Sequence, residues 1–194
     1  MIPDYWPQAT VELAAGDSVM AGLVARYHGV GLVSRGDPFG TLARSIVGQQ
    51  ISVKAADAVW RRFSAALPAV TPEAVLAAGL PGLAGCGLSA RKREYLADLA
   101  AHFASGRLDP AAWHALDDEE LIALLVDVRG IGRWTAEMFL IFNQLRPDVF
   151  PLDDLGLRRA VHERYFAGEL QPRRVLAAFG ERWRPWRSVA TWLL

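Results

Sequence analysis

The chain has 194 residues, with 21 Lys and Arg balanced by 21 Asp and Glu, and a hydrophobic fraction of 52% that includes 7 Trp and 8 Phe. That length and composition suit one compact domain, or two small lobes sharing a core. A single cysteine, Cys86, excludes an internal disulfide framework, a four-cysteine iron–sulfur cluster and a Cys-rich zinc site.

Nearly every segment reads as helix. In DSVMAGLVARYH, Val19, Leu23 and Val24 recur at helical intervals, with Asp17 or Ser18 placed as the cap. DPFGTLARSIVGQQ sets Pro38 in a first turn and runs Phe39, Leu42, Ile46 and Val47 along one face. SVKAADAVWRRFSAAL opens at Ser52 and closes near Pro68, and TPEAVLAAG is a short helix from Thr71 with Gly79 as its stop. SARKREYLADLAAHFASG repeats the scheme from Ser89 to Gly106. DDEELIALLVDV puts acids in its first turn, where they meet the positive end of the helix dipole. RWTAEMFLIFNQL, DLGLRRAVHERYF, QPRRVLAAFGERW and PWRSVATWLL complete the set. With no convincing period-two alternation and only short connections, the prediction is an all-α, bundle-like fold.

The four histidines (His28, His102, His114, His162) are scattered and read as ordinary surface or packing residues. No apolar run is long enough to span a bilayer, and MIPDYWPQAT lacks the basic start and apolar centre of a signal peptide. A cytoplasmic protein without membrane contact is expected.

Charge is unevenly placed. Residues 1–128 carry 10 Lys/Arg against 14 Asp/Glu, while 129–194 carry 11 against 7. The basic excess begins at Arg129 and Arg133 and continues through Arg158, Arg159, Arg164, Arg173, Arg174, Arg182, Arg184 and Arg187. A one-sided basic face binds phosphate even on a neutral molecule, although an arginine-rich solvated surface has the same composition.

Between DDEELIALLVDV and RWTAEMFLIFNQL lies RGIG, whose Gly130 and Gly132 permit positive φ and close approach of another backbone. Amides at such a turn, with the free N–H groups of the next helix, form a phosphate cradle. Alone, the pattern also fits a plain turn between helices. About twenty residues later comes FPLDDLGLRRAV, with Asp153 and Asp154 ahead of a helix, where either acid serves as a cap.

These segments together resemble the helix–hairpin–helix DNA glycosylase superfamily. IVGQQISVKAA (47–56), GLSARKREYLADLA (87–100), GIGRWTAEMFL (130–140), DVFPLDDLGL (148–157) and RWRPWRSVATW (182–192) are similar to the 3-methyladenine DNA glycosylase II group, in order, from about residue 37 onward. The resemblance implies a two-lobed all-α fold with the active-site cleft between the lobes and no N-terminal β domain. Residues 30–130 would form one lobe, and 1–29 with 131–194 the other. It implies a monomeric hydrolase of base excision repair acting on double-stranded DNA with alkylated bases (3-methyladenine or 7-methylguanine type), leaving an abasic site.

By that resemblance Asp154 is the catalytic carboxylate and Asp153 a cap or loop residue. Trp134, Met138, Phe39 and Trp192 would line the substrate pocket. Gln49, Gln50, Arg129, Gly130, Ile131, Gly132, Arg133 and Thr135 would meet DNA, with Gln50 as the wedge that fills the gap left by a flipped base. Strand-cutting relatives carry a lysine nucleophile where this chain has Trp134, which implies a glycosylase without lyase activity. Met138 stands where some relatives have a second pocket aromatic, Trp192 lies a turn short of another, and Arg129 replaces a common proline. No cofactor is implied beyond a structural Na+ or K+ on the carbonyls of Val126, Val128 and Ile131. A non-catalytic damage-binding protein and a glycosylase for oxidised or mismatched bases remain the alternatives.

Overall fold

The computed structural model describes residues 2–194, which form eleven α-helices, two 3₁₀ turns and, among the described residues, no strand. The chain divides into two compact units, Met1–Ser34 with Glu137–Leu194, and Arg35–Ala136.

The Arg35–Ala136 unit contains α3 (Pro38–Gly48), α4 (Val53–Ala65), α5 (Pro72–Gly82), α6 (Ala90–Ala104), α7 (Asp118–Val126) and the first turn of α8 (Arg133–Phe142). Helix starts are chemically marked. Asp37 caps α3, Ser52 α4, Thr71 α5 and Ser89 α6, each accepting from an amide inside the first turn. Asp117 and Glu120 form a reciprocal capping box at α7. Helix α5 breaks at Gly79, whose φ of 60° and ψ of −177° end its regular part where the sequence places the stop. Leu42, Ile46, Phe63, Leu96, Leu99, Leu121 and Leu125 are fully enclosed. Phe103 of α6 meets Phe39 and Trp113 edge-on, at centroid distances of 5.4 and 6.1 Å. Phe39 is therefore a core residue of this unit.

The other unit is built from α1 (Trp6–Gly16), α2 (Ser18–Arg26), the remainder of α8, α9 (Leu155–Tyr165), α10 (Arg173–Gly180) and α11 (Arg187–Leu193). The start of α1 has no capping side chain, and its one local marker is Pro7 in the first turn. Asp17 does more than cap α2. Its Oδ1 accepts from the amides of Val19 and Met20, while its Oδ2 accepts from the Tyr165 hydroxyl (2.9 Å) and Trp183 Nε1 (3.3 Å). Burial first, and then the Asp17 hydrogen bond, raises the Tyr165 phenol well above its usual range. Trp183 is 1% exposed and lies edge-on to Phe150, Tyr165 and Phe179. Trp192 packs edge-on against Trp6 and Tyr27, joining α11 to α1 and α2.

Candidate DNA-processing site

Three segments carry the residues singled out above, and each is fixed differently. The first is the turn between α3 and α4. Gln49 is the C-cap of α3, and its backbone leaves the helix at φ −56°, ψ 133°. Its side chain does not face outward, because Nε2 donates to the carbonyl of Gly130 at 2.8 Å. Gln50 adopts a positive φ of 57° and is exposed, followed by the exposed apolar side chains of Ile51 and Val53. A non-glycine residue in the left-handed region is uncommon, and here it turns one polar and two apolar side chains outward together.

The second segment is the hairpin joining α7 to α8. The two glycines have different duties. Gly130 has a φ of +88°, and a Cβ there would collide with the Tyr95 ring. Gly132 is not among the positive-φ residues, and a Cβ there would meet nothing within 4 Å. Only Gly130 answers to the expectation of a left-handed turn; the space before Gly132 is open. The amides are also divided. Arg129 N–H donates to Asp98 Oδ2 at 2.8 Å and Ile131 N–H to the Val128 carbonyl at 3.0 Å, so neither belongs to an outward cradle.

Arg129 is ion-paired with Glu94 at 3.0 Å. Arg133 donates to both oxygens of Glu119, at 2.8 and 2.5 Å, which holds the Glu119 carboxyl below its usual range. Thr135 is buried, whereas Trp134 is 45% exposed at the start of α8, and Met138, one turn on, is half-buried. Val126 is exposed, and Val128 and Ile131 are core residues that leave their carbonyls at the turn. Among the described residues no group of three His, Cys, Asp or Glu could hold a metal ion.

The third segment, residues 147–154, leads into α9. Arg187 grips Asp148 through Nε (2.7 Å), Nη2 (3.0 Å) and the Asp148 carbonyl (2.9 Å). Ser188, fully buried, accepts from Val149 N–H at 2.9 Å and donates its own N–H to the Pro147 carbonyl at 3.0 Å. Phe150 stacks over Gly180, where a Cβ would collide with its ring. At the end of this braced stretch Asp154 is the N-cap of α9, with Oδ1 accepting from Leu157 N–H at 2.7 Å. Of the two acids Asp154 takes the cap, and Asp153 is the loop residue before it, exposed and ion-paired with Arg173. Next to Asp154 come Leu155, 76% exposed, and Gly156, where a Cβ would stand 3.1 Å from Asp154 Oδ1.

Many arginines of the expected basic face have acid partners within the chain. Arg129, Arg133, Arg159, Arg173, Arg184 and Arg187 are all in ion pairs with acids of this chain. Apart from Arg159–Glu163, an i,i+4 pair within α9, these are long-range pairings that leave no periodic signal. The same holds for Lys92, Tyr95 and Asp98, whose support of the turn and hairpin is invisible in the sequence.

Residues 43–185 match the family described as HhH-GPD superfamily base excision DNA repair protein. The chain belongs to that superfamily. Among HhH-GPD relatives, DNA-3-methyladenine glycosylase 1 of Schizosaccharomyces pombe is 35% identical over 179 residues, covering 89% of this chain and 77% of its own. DNA-3-methyladenine glycosylase 2 of Escherichia coli is 29% identical over 185 residues, 90% of this chain and 62% of that protein. In three dimensions the fold matches a DNA-3-methyladenine glycosidase from Bacillus halodurans with a TM-score of 0.85 at 34% identity, covering 95% of this chain and 87% of that one. The all-α architecture is thus that of an HhH-GPD glycosylase.

Proposed function

We propose that the chain is a monofunctional DNA glycosylase that removes alkylated bases from duplex DNA by hydrolysis and leaves an abasic site. The observation that carries this reading is the Asp154 carboxylate. It is fixed by the first turn of α9, in a loop braced by Arg187 and Ser188, with a glycine beside it where a side chain would crowd Oδ1. Breaking an N-glycosidic bond builds positive charge on the sugar, and a preplaced anion stabilises that charge without reorganising at the moment of reaction. Water adds to the anomeric carbon as the bond to the base nitrogen breaks; the bonding pair leaves with the base, which departs neutral, and the added water gives up its proton to solvent. An N-alkylated purine already carries the positive charge that makes it leave, so no second acid is required.

The other residues supply recognition. The target must leave the duplex, and the outward Gln50–Ile51 turn is suited to fill the gap and to hydrogen-bond the orphaned partner. Trp134 presents an indole face on which a cationic base stacks, and it has no amine with which to form a Schiff base. Met138 in place of a second aromatic favours a broader range of alkylated bases. Phe39 and Trp192 are accounted for by packing and are not assigned to the pocket. The open face of Gly132 lets a DNA phosphate approach the backbone, with Arg129 and Arg133 nearby to exchange their acid partners for phosphate.

The carbonyls of Val126, Val128 and Ile131 are oxygen donors of the kind a monovalent cation takes, and Val128 O retains a lone pair beyond its bond to Ile131 N–H. Such an ion would link hairpin to phosphate and play no part in bond breaking. We place its action in a cytoplasmic, nucleoid-associated setting, a reading that the proposed DNA substrate supports; among the described residues no helix is long and apolar enough to cross a membrane.

The test is incubation with methylated duplex DNA, reading free bases by chromatography and strand integrity by gel before and after alkali. Release of 3-methyladenine and 7-methylguanine with breaks only after alkali is expected. No released base would overturn the enzymatic reading, and breaks before alkali the monofunctional one.

A further inference from the structure

The C-terminus of a helix exposes carbonyls with no partner in the helix, and these are normally satisfied by water or a cap. At the end of α3 two of them, Val47 O and Gln49 O, are both bound by the Lys92 ammonium of α6, each at 2.8 Å. Burial lowers the Lys92 pKa, as expected for an ammonium drawn out of solvent. With two of its three protons turned into the protein, Lys92 is poorly placed to act as a phosphate ligand. The negative end of the α3 dipole adds to its hold.

The same helix grips the hairpin. Tyr95 fills the space that a Gly130 side chain would need, Asp98 accepts the Arg129 amide at 2.8 Å, and Glu94 pairs with the Arg129 side chain at 3.0 Å. Lys92, Tyr95 and Asp98 follow at steps of three, which places them along one stripe of α6. Below them His102 reaches Asp127, the C-cap of α7, at 3.2 Å. The two ends of this stripe are joined again by Gln49, whose side-chain amide donates to Gly130 O at 2.8 Å.

We propose that Lys92 is a positioning residue for strand insertion, locking the end of α3 so that the Gln50 turn enters the duplex in fixed register with the hairpin. The proposal rests on the reading of Gln50 as the inserted residue. Without Lys92 the last carbonyls of α3 recruit water, the left-handed Gln50 is no longer over-determined, and the turn frays on its way into the duplex. The loss falls on opening the pair, not on breaking the bond.

The experiment measures single-turnover base release, at saturating protein, from two duplexes carrying one 7-methylguanine. In one the lesion faces cytosine; in the other it lies in a three-nucleotide bubble where stacking is already lost. Wild type, Lys92→Met and Gln50→Ala are compared, with thermal midpoints recorded. Lys92→Met keeps the apolar stem and removes both hydrogen bonds. It is expected to slow release from the paired duplex about tenfold and from the bubble less than about twofold, because only the former requires unstacking. Lys92→Gln, too short to reach both carbonyls, is a second variant with the same expectation, used if the first does not fold. Equal losses on both duplexes, or none on either, would overturn the proposal while Gln50→Ala shows a paired-only loss. If Gln50→Ala itself does not distinguish the duplexes, the insertion reading fails, and the role of Lys92 with it.

Discussion

The hairpin around Gly130 and the loop leading to Asp154 are each attached to a helix start, but the arginines at the two are held in opposite ways. The hairpin arginines sit in exposed pairs, Arg129 with Glu94 and Arg133 with Glu119, worth little each and easily exchanged for phosphate. The Asp154 loop is held from within, by the largely buried Asp148–Arg187 pair and by Ser188. An anchor for a polyanion gains from exchangeable contacts, whereas a carboxylate that must meet developing charge gains from rigid ones. On the proposed reading the contrast separates binding from chemistry, and substitutions can break it at either end.

The largest effect is expected at Asp154. Asparagine caps as well as aspartate, so Asp154→Asn leaves unfolding free energy within about 0.5 kcal/mol. It is expected to lower single-turnover base release by about a hundredfold or more, the scale for removing a preorganised electrostatic group. Unaltered release would remove Asp154 from the chemistry. Next comes its brace. Ser188→Ala leaves the Val149 amide unpartnered in the core and is expected to cost about 1–3 kcal/mol, read by denaturant unfolding. Base release should fall with it, while affinity for undamaged duplex stays nearly constant.

The hairpin glycines then sharpen the other side. Gly130→Ala meets both a positive φ and the Tyr95 ring, so it is expected to destabilise by about 1–3 kcal/mol or more and to weaken DNA binding. Gly132→Ala enters open space, so the thermal midpoint should hold while DNA affinity falls about tenfold, near the worth of one backbone hydrogen bond to phosphate. An unchanged affinity would mean that the open face of Gly132 meets nothing.

The smallest effects are expected at the acids. Glu94→Gln and Glu119→Gln release an arginine each, so DNA binding should tighten at low salt and the salt slope steepen by about one unit, measured by fluorescence anisotropy. The stability each loses should stay under about 1 kcal/mol. For Glu119, whose carboxyl is held low by Arg133, the pair's contribution is present above the ordinary carboxylate range and disappears as pH falls through the lowered value.

Much of the fold is legible because helix signals act over a single turn. Asp37, Ser52, Thr71, Ser89 and the Asp117–Glu120 box mark five starts, and apolar spacing supplies the buried faces. Helix α1 is marked more weakly, by Pro7 in its first turn without a capping side chain. At the site, the hairpin is legible as glycines between two helices, whereas Asp154 is singled out only by the resemblance to the glycosylase superfamily. The duty of each glycine, the choice between Asp153 and Asp154 as cap, and the inward turn of Gln49 are not legible.

The sequence by itself determined that this is a helical protein with a glycine hairpin between two helices and an acid poised before a third. It also settled that the first turn of α8 holds Trp134 and no lysine. Only the tertiary structure decided that Arg129, Arg133, Arg173 and Arg187 pair with distant acids, that Asp17 gathers Tyr165 and Trp183, and that Lys92 closes the end of α3. The reason is range. Caps and periodicity are written within a few residues, whereas Lys92 lies 43 residues from Gln49, and Asp17 lies 166 from Trp183. Partners so distant are chosen by packing, which no local pattern encodes.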